Sequence, residues 1–552
     1  MIKKKSLAAP YLVWMVIFMV VPLLIVIGYA LTDKSGAFTL SNLTTIGRYS
    51  SVFARSLILA AEATVICLIL AFPLGYFLSR LRSSKQHTML MLIMLPMWMN
   101  FLLRTYAWMS LLENNGLINK FLGLFGIGPF NMINTSGAVV LGMVYNYLPY
   151  MILPLYTAMT KIEDSVIEAA QDLGASTWGT LTRVLIPMAS PGIATGITMV
   201  FVPSVSTFII SRMLGGGSNL LIGDLIELQF LGNSYNFNLG AAMSLVLMVI
   251  VLLCMSFTNT FDEEGLEGGG HVMKTKHWRT LQRAYVILLM GFMYLPIGVM
   301  IAFSFNESKS RSNFTGFTLS WYKSLFSNEM ILEALALSLL VAVISSVVAT
   351  VLGTMAAIGI NGMGKKSRLV IENISYIPVV NPEIITGVSL MLLFVGYNTA
   401  VTVLNGMGIP LPDSLFGMPT LLISHITFNL PYVIFNVSPK LRQLDTRIYE
   451  AALDLGCDHR QAFFKVVMPQ LTPAILSAFL ICITYSIDDF IISYFNCGTL
   501  QTLPIAIYSM TRKKVSPEIN ALSAIMFLVI LSIILISNAR ESRQYKRDQR
   551  RI

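Results

Sequence analysis

The chain has 552 residues, of which 55% are hydrophobic and only 12% charged, and its mean hydropathy is +0.71. A soluble globular protein carries about 25% charged residues, so this composition excludes a water-soluble fold. The net charge of +10 comes from basic residues in short loops and at the two ends, a distribution that sets membrane topology and points away from nucleic-acid binding.

Apolar runs of about 20 residues, long enough to cross a hydrocarbon core of about 30 Å, recur along the chain. Their length favours helices over a β-barrel. Twelve spans are expected, near 11–31, 57–79, 88–112, 138–160, 191–212 and 237–258, then near 284–304, 334–358, 370–396, 417–438, 472–494 and 519–538. The N-terminal stretch MIKKKSLAAPYLVWMVIFMVVPLLIVIGYAL is too long in its apolar part for a signal peptide and reads as the first membrane helix. Lys3, Lys4 and Lys5 place the N-terminus in the cytoplasm. Arg80, Arg82 and Lys85, then Lys365, Lys366 and Arg368, and the tail RESRQYKRDQRRI fall on the same side. Arg512, Lys513 and Lys514 are the contrary group. FDEEGLEGGGHVMKTKHWRT, between the halves, has the composition of a flexible cytoplasmic linker. The expected organisation is a first six-span domain over 1–260, a linker over 261–283 and a second six-span domain over 284–552, both running in the same direction.

EAAQDLGASTWGTLTRVLIPMASP starts at Glu168 and EAALDLGCDHRQAFFKVVMPQLTP at Glu450, 282 residues later. The same offset carries Pro96 onto Pro378, Pro149-Tyr150 onto Pro431-Tyr432, and Phe208-Ile209-Ile210-Ser211 onto Phe490-Ile491-Ile492-Ser493. The chain is therefore two homologous halves in tandem, and a pathway is expected along the pseudo-twofold axis between them. The two polar segments lie in cytoplasmic loops, about 161–190 and about 440–471, between the fourth and fifth spans of each half. Each contains a short helical run, a Gly that ends it, and more helix up to a Pro. The run places Ile167, Ala170 and Leu173-Gly174 on one face and Glu168 and Asp172 on another. Such an elbow, present once per half, is a docking surface for a partner with two matching sites.

The E-A-A…Gly…Pro pattern resembles the EAA loop of binding-protein-dependent ABC import permeases. In that family the loop forms the helix that seats in a cleft of the cytoplasmic ATPase. The matching residues are Glu168, Ala169, Ala170 and Gly174, and Glu450, Ala451, Ala452 and Gly456. RTYAWMSLLENNGLIN and MLGGGSNLLIGDLIELQF resemble the first permease subunit of spermidine/putrescine importers; SIDDFIISYF and LPIAIYSMTRKKVSPEINALSA resemble the second. The resemblance implies an all-α integral membrane protein with two tandem six-helix permease domains of the ABC importer (MetI-like) type. It implies an extracytoplasmic polyamine-binding protein and a cytoplasmic ABC ATPase dimer as partners, with ATP and Mg bound by that dimer, and the bacterial inner membrane as location. The fusion of the two subunits is the departure from the usual pattern.

No cofactor, metal cluster or catalytic triad is expected in the chain itself. The nearest approach to a phosphate-cradling GxxxxGK[ST] loop is GINGMGKK, from Gly359 to Lys366, which has Lys where Ser or Thr should hold Mg²⁺ and follows a membrane helix. The five cysteines and five histidines show no ligand spacing.

Ionisable residues inside a membrane are costly and are functional candidates. Ser206 and Thr207 in the first half correspond to Asp488 and Asp489 in the second, and Phe101 corresponds to Glu383, which Pro378 and Pro382 flank. Carboxylates in place of hydroxyls and a ring point to a cationic substrate. Trp98 and Tyr106 offer cation–π faces. Glu62 and Arg104 lie at similar depths by a rise of about 1.5 Å per residue, which predicts an intramembrane ion pair. Two other classes fit twelve spans: an ABC permease for another solute such as ferric ion or an oxyanion, and a 6+6 secondary transporter. The duplicated loops argue against the second, which has no ATPase to dock.

Overall fold

The structure, a computed structural model, describes residues 5–81, 83–217, 219–232, 235–259, 276–310, 313–407, 414–512, 517–529 and 531–532. Lys3, Lys4, Arg82, Lys513, Lys514, the linker up to residue 275 and the basic tail lie outside the described residues.

Among the described residues, nine helices are long and apolar enough to cross a membrane, or eleven with each bent pair counted as one span. In chain order they begin with α1 (Lys5–Ala30), α2 (Ser41–Ser79), the bent pair α3 (Lys85–Trp98) and α4 (Phe101–Gly123), and α5 (Ser136–Thr160). The bent pair α6 (Thr177–Met188) and α7 (Ser190–Ser206) follows, then α8 (Phe237–Ser256) and α9 (Gln282–Phe303). The second half continues with α10 (Glu329–Asn361), α11 (Glu383–Gly406), α12 (Met418–Gln443) and α13 (His459–Asp488). A shorter apolar helix, α14 (Glu518–Val529), stands where the twelfth span is expected. Helices dominate because a backbone in lipid must satisfy its own hydrogen bonds.

Four expected spans are broken, at repeat-related places. α3 and α4 meet at 84° around Met99-Asn100. Pro96 has no N–H to give the ladder, and the Asn100 side chain caps α4 by accepting from the amides of Leu102 and Leu103 at 3.1 and 3.4 Å. In the second half the helix Lys365–Val380 stops before Asn381-Pro382, and α11 begins at Glu383. Glu383 is thus the first residue of a new helix instead of the middle of a long one, a position where the helix dipole favours a carboxylate. α7 ends at Ser206, Thr207 is extended (ψ 140°), and a short helix restarts over Ile209–Leu214. α13 ends at Asp488, Asp489 is extended (ψ 120°), and a short helix restarts over Ile491–Asn496.

The compact units do not coincide with the sequence halves. One comprises Met1–Gly47, Ile226–Met248 and Glu329–Ala506; the other comprises Arg48–Leu225, Val249–Asn328 and Ile507–Ile552. Each therefore takes its first helix from the opposite half. In the former unit, Tyr11, Met15 and Met19 of α1 pack with Ala349, Ala356 and Ile360 of α10 and with Leu430, Val433 and Ile434 of α12. The Tyr11 hydroxyl lies 2.5 Å from Ser375 Oγ, and Trp14 Nε1 donates to Thr427 Oγ1 at 3.1 Å. Small residues permit this approach: a Cβ at Gly359 would sit 2.5 Å from the Ala8 nitrogen. In the latter unit, three tyrosine hydroxyls tie α9 to its neighbours. Tyr285 donates to the Leu70 carbonyl at 2.5 Å, Tyr294 to Leu92 at 2.7 Å, and Tyr145 of α5 to Met293 at 2.9 Å.

Candidate functional site

The two polar loops have the same construction. In the first, the helix Asp164–Asp172 ends at Leu173, and Gly174 follows with φ +83°. In the second, Thr446–Asp454 ends at Leu455, and Gly456 follows with φ +88°. The Ala175 amide donates to the Ala170 carbonyl at 3.0 Å, and Cys457 to Ala452 at 3.0 Å. This six-to-one bond is the Schellman closure, which needs a left-handed residue and so selects Gly. Ser176 and Asp458 then cap the next helix, accepting from Gly179 at 3.1 Å and Gln461 at 2.6 Å. Glu168, Ala169, Glu450 and Ala451 are exposed, Ala170 is half-buried and Ala452 is buried. Leu173 does not share the buried face of Ile167 as expected: it is 90% exposed, and its counterpart Leu455 is 86% exposed. The left-handed turn throws the leucine outward, so each elbow presents one bare apolar side chain.

The elbows are braced differently. Arg80, at the end of α2, pairs with Asp164 at 2.7 Å and donates to the Ile162 carbonyl at 2.8 Å. Its place in the second half is Gly362. There the Tyr449 hydroxyl meets His459 Nδ1 at 3.1 Å, and Leu7 of the N-terminal segment packs against the cluster containing Tyr449, Ala452 and Ala462. Charge counting assigned Arg80 to topology alone and missed this brace. GINGMGKK spans the end of α10 and the start of the following helix, with no strand among the described residues before it.

The acids singled out in the second half come together in one unit. Glu383 opens α11 at one break, Asp488 and Asp489 stand at the other, and α11 packs on the short helix Ile491–Asn496 that follows them. Glu383 is exposed although Asn381, Ile384 and Ile385 beside it are buried. Tyr485 stands one helical turn before the aspartates. Its ring packs on that of Tyr432 at 4.7 Å. Carboxylates gathered at neighbouring helix breaks repel when charged, and a cation with more than one charge relieves that repulsion. Asp489 is enclosed: its side chain is 6% exposed and lies 3.6 Å from His425 Nε2. Tyr432 was legible as part of the repeated Pro-Tyr pair, and Tyr485 by its spacing from Asp488 and Asp489. His425 carried no signal beyond being a polar residue in an apolar span.

The remaining candidates fall elsewhere. Trp98 (43% exposed) and Tyr106 (buried) belong to the other compact unit. The expected Glu62–Arg104 pair is not formed: among the described residues no ion pair joins them. Glu62 is exposed on the α2 face that carries Ile58, Val65 and Ile69, whereas Arg104 is buried in α4 with Nε lacking a hydrogen-bond partner. Similar depth did not imply facing sides.

Matched helix breaks and paired polar elbows, one set in each half, define a polytopic membrane permease. The sequence profile described as binding-protein-dependent transport system inner membrane component matches residues 1–262 and again 349–540. The chain belongs to that family, as a multi-pass inner membrane transport protein. It is 37% identical over 252 residues to the spermidine/putrescine transport system permease protein PotB of Escherichia coli (strain K12), covering 44% of this chain and 91% of PotB. It is 34% identical over 259 residues to PotC of the same strain, covering 47% of this chain and 92% of PotC. A crystal structure of a bacterial ABC transporter involved in the import of the acidic polysaccharide alginate is more distant, at 16% identity and a TM-score of 0.40, covering 46% of this chain and 92% of that one.

Proposed function

We propose that this chain is the fused permease of an ATP-driven importer of polyamines, carrying putrescine- or spermidine-like cations from an extracytoplasmic binding protein into the cytoplasm. The observation that carries the reading is the placing of Glu383, Asp488 and Asp489 at the two helix breaks of one compact unit, with the packed rings of Tyr432 and Tyr485 one turn before the aspartates. A polyamine is a flexible chain of ammonium groups separated by methylenes. Spaced carboxylates meet the charges and aromatic rings cover the methylenes and cation faces. Resemblance to both PotB and PotC, each over somewhat less than half of the chain, supports the same substrate class.

In this reading the elbows at Glu168–Gly174 and Glu450–Gly456 seat on a cytoplasmic ATPase dimer, which supplies the ATP and Mg²⁺ chemistry. Both termini are cytoplasmic. The energy for switching access comes from the ATPase binding nucleotide differently in its two states, and the elbows pass that difference to α5 and α12. The permease site is weak by design, since tight capture belongs to the binding protein and a tight site would not release.

The test is uptake in proteoliposomes containing the chain, its ATPase and its binding protein, with putrescine and spermidine, for wild type, Asp488→Asn and Glu383→Gln. Wild type is expected to transport only with ATPase present, and each variant to lose most uptake while the complex still assembles. Transport of another solute but no polyamine would defeat the substrate assignment, and uptake without any ATPase would defeat the coupling.

A further inference from the structure

We infer that His425 and Ser493 are positioning residues that lock the Asp489 carboxylate at the α13 break and so fix the corner on which the adjoining Asp488 is carried to the cation. The substrate named here rests on the polyamine reading; the lock itself rests on geometry alone.

Asp489 Oδ1 accepts from the Ile492 amide at 3.2 Å. Its Oδ2 accepts from the Ser493 amide at 2.7 Å and from Ser493 Oγ at 2.7 Å. The carboxylate is therefore occupied in starting the Ile491–Asn496 helix, whose first amides have no partner within the helix. Ser493 Oγ also lies 2.9 Å from His425 Nε2. A hydroxyl has one proton, and here it points at Asp489. The proton in the Ser493–His425 bond must then come from Nε2, with Ser493 Oγ as acceptor. Nδ1 of the same ring is buried and has no hydrogen-bond partner. A proton there would be unsatisfied, so this arrangement holds a neutral ring with its single proton on Nε2. The chain of donation runs His425 to Ser493 to Asp489, through side chains almost wholly enclosed.

The first half shows what the break looks like without this lock. Thr207 stands at the place of Asp489, Met143 at that of His425 and Ser211 at that of Ser493. Ser211 Oγ turns to Asp224 instead, at 2.6 Å. The backbone break thus exists without an acid at its corner, and the His–Ser–Asp chain occurs in the half that carries the acids. Its effect is directional. Asp488 closes α13 and Asp489 opens the extended corner, so fixing one carboxylate inward fixes the aim of its neighbour.

The test uses the full chain with its ATPase and binding protein. His425→Met installs the first-half residue, His425→Gln keeps a donor, and Ser493→Ala removes the relay. For His425→Met and Ser493→Ala the spermidine concentration giving half-maximal uptake is expected to rise about tenfold at unchanged maximal rate, with His425→Gln within about threefold of wild type. Wild-type values in His425→Met, equal losses in the Met and Gln variants, or a fall in maximal rate alone would each overturn the assignment. Hydrogen exchange of residues 489–496 in nanodiscs supplies a substrate-independent readout. The Ile492 and Ser493 amides are expected to exchange faster in His425→Met and Ser493→Ala, and unchanged exchange defeats the lock. Should wild type move no polyamine, the substrate reading falls while the exchange data still decide the lock.

Discussion

At the scale of single residues, Glu62 shows where depth misleads. It shares a helical face with Ile58, Val65 and Ile69, all exposed, while Ala60, Ala63 and Cys67 on the opposite face are buried. Glu62→Gln and Arg104→Met should therefore each change thermal stability in detergent on their own account, and the double variant should equal their sum within about 0.5 kcal/mol. A larger coupling term would restore the ion pair. Asp33 offers a second residue-level test outside the membrane spans. The Ser35 hydroxyl and then the Ala37 amide hold its carboxyl below the ordinary carboxylate range. A lowered folded value contributes stability above the unfolded value near 3.8, and that stability is lost as pH falls through the folded value. Protection of the amides in residues 32–39, relative to unstructured chain at the same pH, should weaken on acidification through the carboxylate range, and Asp33→Ala should remove that dependence. The acids of the site were legible because one half could be compared with the other. His425 was not, because its role exists only through the fold that sets it beside Ser493, 68 positions away.

At the scale of elements, the elbows were readable in outline because the constraint is local. A left-handed residue must close the Schellman turn, and both copies use Gly. A Cβ at Gly174 or Gly456 would meet nothing within 4 Å, so substitution acts through the backbone alone. Gly174→Ala and Gly456→Ala should each destabilise their elbow by about 1–2 kcal/mol and reduce ATPase co-purification, whereas Asn, which tolerates this conformation, should be milder. Equal effects of Ala and Asn would contradict that cause. Arg80→Leu should loosen only the first elbow, since Gly362 stands in its place in the second. Another repeated element escaped the fixed-offset alignment: FTLS recurs at Phe38–Ser41 and Phe317–Ser320, 279 residues apart instead of 282. In the structure each copy begins with the second partner of an isolated bridge, Thr32 with Phe38 and Asn306 with Phe317. Small loop-length differences between halves hid it. The helix breaks were only half visible, since Pro96 and Pro378 mark two of them while Thr207 and Asp489 leave the chain without any Pro or Gly at the corner.

At the scale of the molecule, span counting could divide the chain in two but could not see that its compact units exchange helices. Hydropathy gives the length of a membrane helix and is blind to its neighbour. The exchange makes the halves interdependent. The α1 face formed by Tyr11, Met15 and Met19 packs on α10 and α12, which the second half supplies, and α9 hangs from carbonyls of Leu70 and Leu92 in the first. A chain cut between Gly269 and Gly270 tests this directly. Each fragment expressed alone should be protease-sensitive and polydisperse in detergent, because it keeps a helix whose packing partners are on the other fragment. Expressed together, the fragments should co-purify, resist protease and transport as the intact chain does, since contacts among the described helices already join them. A single fragment that is monodisperse and as protease-resistant as the whole would show that the exchanged helices carry little of the fold's stability. Failure of the pair to assemble would instead give the linker a structural role, that of supplying the effective concentration that the exchanged contacts cannot replace.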